Sequence, residues 1–71
     1  MKEVFINTDF ITLGQFLKLT NLVQSGGHVK IFINDNEVLV NNEREARRGR
    51  KLYNKDKIII NNNQYLIKKN D

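Results

Sequence analysis

The sequence has no cysteine, proline or tryptophan, and it has one histidine and four glycines among 71 residues. Without cysteine, neither a disulfide nor a thiolate metal site can stabilise the fold. With only one histidine in addition, a transition-metal site has too few soft ligands, so we expect no metal and no cofactor. Because only 39% of the residues are hydrophobic, the core of so short a chain must be small and widely shared.

Long apolar runs are also missing. No segment approaches the roughly 20 apolar residues that a membrane-spanning helix needs, and no signal-peptide pattern opens the chain. We therefore expect a cytoplasmic protein with no membrane partner. The length predicts a single domain that comprises residues 1–71.

The excess of positive charge is confined to residues 44–51, which we call the basic segment. The whole chain has twelve Lys+Arg and eight Asp+Glu, a net charge of +4, and the basic segment alone has five basic residues and one acid. The rest of the chain holds seven residues of each sign and is neutral. Four of the five cations are arginines, whose forked guanidinium suits phosphate. The basic segment therefore indicates a site for a polyanion.

Two short helices are predicted in the first half of the chain. Thr12 and Gln15 have the spacing of a capping box, and apolar residues follow at helical spacing, so the first helix is expected over residues 13–23. Ser-Gly-Gly at residues 25–27 interrupts the pattern, since glycine ends one helix and serine can cap the next. The second helix is expected over residues 27–34.

Four short strands are predicted from alternating or β-branched runs, over residues 2–7, 37–41, 57–60 and 64–68. The chain has eleven asparagines, which we assign to surface and turn positions. Asn41-Asn42 is expected to form a tight turn, because asparagine tolerates a positive φ. This order of elements predicts an α+β fold with two short helices packed on a small, mainly antiparallel sheet.

Three runs of the sequence are familiar: LVQSGG at 22–27, VLVNNE at 38–43 and RRGRKL at 47–52. They resemble the S4-type RNA-binding domain with its alpha-L motif, and more narrowly the short stand-alone S4-like proteins of bacteria. The similarity covers roughly residues 12–67. The family usually has Asn-Gly where this chain has Asn41-Asn42, and Gly-Asp where it has Lys55-Asp56. The resemblance implies that two helices and a basic loop face structured RNA.

The candidate site combines this resemblance with the basic segment. Unpaired backbone N–H groups at the start of the second helix can hold a phosphate, and lysines on the two helices add charge. The residues expected to bind RNA are Lys18, Ser25, Gly26, Gly27, Lys30, Arg44, Arg47, Arg48, Arg50 and Lys51. Few exposed aromatics are expected beside them, so phosphate neutralisation and shape recognition are favoured over base reading.

The neighbours of the basic segment have simpler interpretations. Glu43 and Glu45 are expected to pair with Arg44 or Arg47 and to hold the loop in shape, as surface pairs that contribute little stability. Tyr53 either stacks on a base or packs beside Leu52. No catalytic constellation is present, so an enzyme is not expected.

Three classes of partner remain open at this point. The first is structured RNA, ribosomal or tRNA-like, with a role in ribosome assembly or translation and a ribosomal particle as the larger partner. The second is an acidic protein, for which the chain would be an adaptor. The third is duplex DNA, which lacks the 2′-OH contacts that favour RNA.

Overall fold

Two short helices and seven strands make up residues 1–70, the part of the chain that the computed structural model describes. The elements are β1 Lys2–Ile6, β2 Phe10–Thr12, α1 Leu13–Leu19, α2 Gly26–Asp35, β3 Val38–Val40, β4 Glu43–Arg44, β5 Lys51–Tyr53, β6 Lys57–Ile60 and β7 Asn63–Lys69. Five strands form a sheet in the order β1-β7-β6-β3-β4, and β2 and β5 form a separate ribbon. Only β1 and β7 run parallel among these strands. The predicted α+β fold with a mainly antiparallel sheet is confirmed.

One face of the five-stranded sheet is buried because apolar side chains alternate along its strands. The buried positions include Val4 and Ile6 in β1, Val38 and Val40 in β3, Ile58 and Ile60 in β6, and Tyr65 and Ile67 in β7. Both helices contribute to the same cluster, and the rings of Phe16 and Tyr65 meet edge to face with centroids 5.4 Å apart. Each large side chain buried in this way contributes about 1.5–3 kcal/mol to folding.

Helix α1 begins where the capping box predicts. The backbone N–H of Gln15 donates to the Thr12 hydroxyl over 3.2 Å, and the backbone N–H of Thr12 donates to Gln15 Oε1 over 2.8 Å. These two bonds satisfy donors that a helix start otherwise leaves without partners.

Within residues 1–70, neither helix has the length and apolar character needed to span a membrane.

The predicted end of the first helix, at residue 23, was wrong. The helix ends at Leu19, and Asn21 follows it with a φ of 63°. The N–H of Leu22 donates to Leu17 O over 3.0 Å, and that of Asn21 donates to Lys18 O over 3.1 Å, as in a Schellman motif. The error arose because Leu22 and Val23 still reach the core after the chain has turned, and so continue the apolar spacing.

Asparagine, rather than glycine, provides the left-handed backbone positions. None of the four glycines has a positive φ, whereas five asparagines do: Asn21, Asn41, Asn42, Asn61 and Asn62. Asn41 and Asn42 have φ of 52° and 70° and join β3 to β4 as a two-residue turn, so the predicted tight turn is confirmed. Asn61 and Asn62 join β6 to β7 in the same manner. The asparagines tolerate this region because their short polar side chains bond locally.

Lys55 is the one other non-glycine residue of the described chain with a positive φ, 75°. It is the position at which the resemblance to S4-type domains leads us to expect glycine. Its N–H donates to Ile67 O over 2.8 Å, which ties the turn before β6 to the last strand. A side chain with a Cβ in this conformation costs about 1–2 kcal/mol.

Lys55→Gly is therefore expected to raise the free energy of unfolding by about 1 kcal/mol, because glycine adopts this φ without steric cost. Urea unfolding measures the change. Lys55→Ala is the matched control: it removes the same charge and methylenes but keeps the Cβ, and should change stability by less than about 0.5 kcal/mol. Equal gains in both variants would trace the effect to the lysine side chain rather than to the backbone.

Candidate nucleic-acid interface

The basic segment is anchored at both ends by strand pairing. Arg44 belongs to β4 and lies opposite Leu39 of β3, while Lys51 begins β5 and lies opposite Thr12 of β2. The sequence indicated a loop throughout residues 44–51, but only residues 45–50 lie outside strands. The loop therefore connects the edge of the five-stranded sheet to the β2–β5 ribbon.

The loop backbone also caps α1. The N–H of Leu13 donates to Arg50 O over 2.8 Å, and the N–H of Gly14 donates to Arg48 O over 2.9 Å. These are the first two amides of the helix, which have no partner within the helix itself. The loop and the start of α1 consequently depend on each other for their hydrogen bonds.

Glu45 organises the loop from the inside. Its side chain is only 8% exposed, although it is a carboxylate. Oε2 accepts the backbone N–H groups of Ala46 and Arg47 at 3.1 and 3.0 Å and Arg47 Nε at 3.0 Å, while Oε1 accepts Arg47 Nη2 and Arg50 Nη1, both at 3.0 Å. A buried charge persists only when it is paired and hydrogen-bonded in this way. The predicted pairing of Glu45 with Arg47 is therefore confirmed, but the expectation of a surface pair was wrong for Glu45, because its carboxylate is buried.

The same bonds hold Glu45 ionised. Hydrogen bonding from Arg47 is the main cause that lowers the pKa of Glu45 to about 2, against a usual 4.5, and partial desolvation opposes it. The carboxylate raises the pKa of Arg47 in return. Both groups are thus charged throughout the physiological range.

The arginines of the loop differ in how much of each guanidinium faces solvent. Arg47 is 74% exposed and uses one edge of its guanidinium for Glu45, so its other N–H groups point outward. Arg50 is 32% exposed and bonds both Glu45 and Lys51 O. Arg50 therefore mainly holds the loop, whereas Arg47 presents donors at the surface.

Arg48 brings the basic segment to the start of α2. Its Nη1 donates to Gly26 O over 3.3 Å, across 22 residues of sequence. In residues 1–70 the amide groups of Gly26 and Gly27 have no hydrogen-bond acceptor, and Ser25, although it is the N-cap residue, makes no side-chain capping bond. The prediction that Ser25 caps α2 is thus confirmed for its position, since Ser25 is the N-cap residue, but its side chain forms no capping bond. The first turn of α2, the positive end of its helix dipole, thus has two open amides and an exposed guanidinium bonded to the carbonyl of Gly26.

The predicted lysines flank this meeting point. Lys30 follows Gly26 by four residues and Gly27 by three, so it lies on their side of α2. Lys18 follows Gly14 by four residues on α1, and a Cβ at Gly14 would lie 3.5 Å from Arg48 O. Both lysines are exposed and form no ion pair within residues 1–70.

Two predicted residues point elsewhere. Arg44 lies opposite Leu39 on the sheet face away from the core, and no contact joins it to Arg48 in the described chain. Lys51 extends over the ring of Phe10, with Nζ 5.0 Å from the centroid. Phe10 was missed by the sequence analysis, since a strand of three residues gives too short a pattern to read.

Within residues 1–70, no group of His, Cys, Asp or Glu is placed to hold a metal ion.

Comparison with known proteins identifies the family of the chain. The sequence model of the S4 domain matches residues 4–68. The chain therefore belongs to the S4 domain family, and the resemblance found in the sequence is confirmed. It is also similar to the probable ribosome maturation protein RlbA of Bacillus subtilis (strain 168), with 56% identity over 57 residues that make up 80% of each chain.

Glu45→Gln is expected to lower the free energy of unfolding by about 2 kcal/mol at pH 7, because the charged hydrogen bonds of the loop are lost. The folded-state pKa lies below the usual value, so this stabilisation is complete above pH 4.5 and disappears as the pH falls towards 2. Urea unfolding of both proteins across that range measures the difference. Glu43→Gln is the matched control, because Glu43 is exposed and forms no ion pair within the described residues. A constant gap between wild type and Glu45→Gln down to pH 2 would contradict this assignment.

Proposed function

We propose that this chain is a binding module that grips the phosphate backbone of structured RNA. The observation that carries the proposal is the hydrogen bond from Arg48 to the carbonyl of Gly26, at the helix start where the amides of Gly26 and Gly27 are open. Backbone N–H groups at a helix start and an arginine fork are complementary to one phosphate group. Membership of the S4 domain family supports RNA as the polyanion.

The remaining cations extend this contact beyond a single phosphate. Arg47 presents its outer N–H groups on the same loop, and Lys18 and Lys30 add charge on the adjoining helix faces. Ser25 supplies a hydroxyl that no capping bond occupies. Such a surface neutralises phosphates and recognises the shape of a folded RNA, and it does not read base edges. Arg44 lies apart from Arg48, so its contribution is to the long-range electrostatic field that attracts the RNA.

The nature of the RNA is proposed from the relative. Because the similar Bacillus subtilis protein is described as a probable ribosome maturation protein, we propose ribosomal RNA or a tRNA-like RNA as the partner, in the cytoplasm. The role is binding without catalysis. The carboxylate nearest to the arginines, Glu45, is occupied by five hydrogen bonds and is held ionised, so it has no proton to give at neutral pH.

If about four phosphates are neutralised, log Ka should fall with log salt at a slope near −3 to −4. Fluorescence anisotropy on a folded RNA at several salt concentrations measures this slope. Arg48→Gln should weaken binding about tenfold at low salt and reduce the slope by about 1. The matched control is Lys2→Gln, since Lys2 lies on β1 at the opposite edge of the sheet from the basic segment. A slope near zero in the wild type would contradict the proposal.

Two further observations separate RNA from the other partners. Ribonuclease treatment of a lysate should abolish co-sedimentation of the chain with ribosomal particles, whereas a complex with an acidic protein would survive. In competition, a structured RNA should displace the labelled RNA better than a DNA duplex of the same sequence, because contacts to the 2′-OH favour RNA. Survival of the complex would indicate an acidic protein as the partner of the basic segment, and equal displacement by DNA would indicate that the site does not distinguish RNA from duplex DNA.

A further inference from the structure

The β2–β5 ribbon presents an aromatic surface to solvent. Phe10 lies directly opposite Tyr53, and Ile11 lies opposite Leu52. Leu52 is fully buried and Ile11 packs against the core, so the alternation of strand side chains places Phe10 and Tyr53 on the outer face. Phe10 is 37% exposed and Tyr53 47%. Of the two interpretations of Tyr53, packing beside Leu52 was therefore wrong.

The two rings and a lysine form one cluster. The ring centroids of Phe10 and Tyr53 are 5.7 Å apart with planes tilted by 48°, and Lys51 Nζ lies 5.0 Å from the Phe10 centroid. Phe10 thus packs beside Tyr53, which remains 47% exposed. An exposed aromatic ring next to an ammonium group suits a ligand that is flat, aromatic and attached to an anion.

The backbone under Tyr53 is fixed. Its N–H donates to Asp56 Oδ2 over 2.7 Å, and its carbonyl accepts the N–H of Asp56 over 3.0 Å. The turn that contains Asp56 is tied in turn to β7, because the N–H of Ile67 donates to Asp56 O over 2.9 Å. The ring is therefore attached to a rigid strand rather than to a free loop, which lowers the entropy cost of stacking on it.

The cluster adjoins the proposed phosphate-binding loop. Lys51 directly follows Arg50, the last loop residue, and Tyr53 is two residues further along the same strand. At about 3.3 Å per residue, Tyr53 lies about 10 Å along the chain from Arg50. A backbone held on the loop would therefore carry its neighbouring nucleotides over the ribbon.

We propose that Tyr53, supported by Phe10, is a stacking site for one unpaired nucleobase of the bound RNA, and that Lys51 contacts the phosphate of the same nucleotide. This inference rests on the proposed function and adds a feature of the target to it: a bulge, loop or junction beside a helix. Every base has a π-face, so the site selects an unpaired base without selecting its identity.

The test compares two RNA hairpins that differ by one bulged nucleotide, 2-aminopurine, which is absent from the fully paired hairpin. The wild type should bind the bulged hairpin more tightly, and the fluorescence of 2-aminopurine should fall as it stacks on Tyr53. Tyr53→Leu should weaken binding to the bulged hairpin by about five- to a hundredfold, the range for the loss of one base–aromatic stack. It should leave binding to the paired hairpin and its salt slope unchanged. Tyr53→Phe keeps the ring and should behave as the wild type.

Phe5→Leu is the matched control, because Phe5 is also exposed but lies on β1, which belongs to the five-stranded sheet and not to the ribbon. Urea unfolding checks that each variant is folded. Equal affinity of wild type and Tyr53→Leu for the bulged hairpin, with salt-dependent binding retained, would overturn the stacking site and leave the proposed function standing. Failure of the wild type to bind either hairpin would overturn both.

Discussion

The structure depends on one buried carboxylate among five cations. A loop rich in arginine repels itself, and its backbone amides need acceptors once the loop folds against a helix. Glu45 supplies both a counter-charge and two oxygen acceptors, and its low exposure keeps water from weakening the bonds. Arg47 and Arg50 are thereby fixed in place before any partner binds, which lowers the entropy cost of binding.

The arginine side chains of this loop have different partners. Arg50 turns inward to Glu45, Arg47 shares its guanidinium between Glu45 and solvent, and Arg48 reaches α2. The carbonyls of Arg48 and Arg50 meanwhile cap α1. The loop that carries the charge is therefore also the connection between both helices and the ribbon. A substitution that disrupts the hydrogen bonds of this loop would therefore lower both the stability of the fold and the affinity for the partner.

The proposed phosphate site and the proposed stacking site follow from the same connection. Because β5 begins where the loop ends, the pairing of β5 with β2 sets the direction in which Tyr53 faces relative to the arginines. The two sites together suit an RNA in which a helix meets an unpaired nucleotide. Ribosomal and tRNA-like RNAs are rich in such junctions, and unpaired bases are where proteins find accessible π-faces.

Local chemistry determined much of this protein. Alternating or β-branched runs predict four of the five strands of the main sheet and miss β4, the Thr12–Gln15 box predicts the start of α1, and the Asn41-Asn42 pair predicts a turn. The confinement of net charge to residues 44–51 also needs only the sequence. These features could be predicted because each depends on residues within a few positions of one another.

Tertiary structure decided the rest: the burial of Glu45, the approach of Arg48 to Gly26, the parallel pairing of β1 with β7, and the exposure of Phe10 beside Tyr53. Each of these features depends on residues that are far apart in the sequence. No local pattern encodes them, because the folded core decides which distant segments come into contact and which side chains become buried.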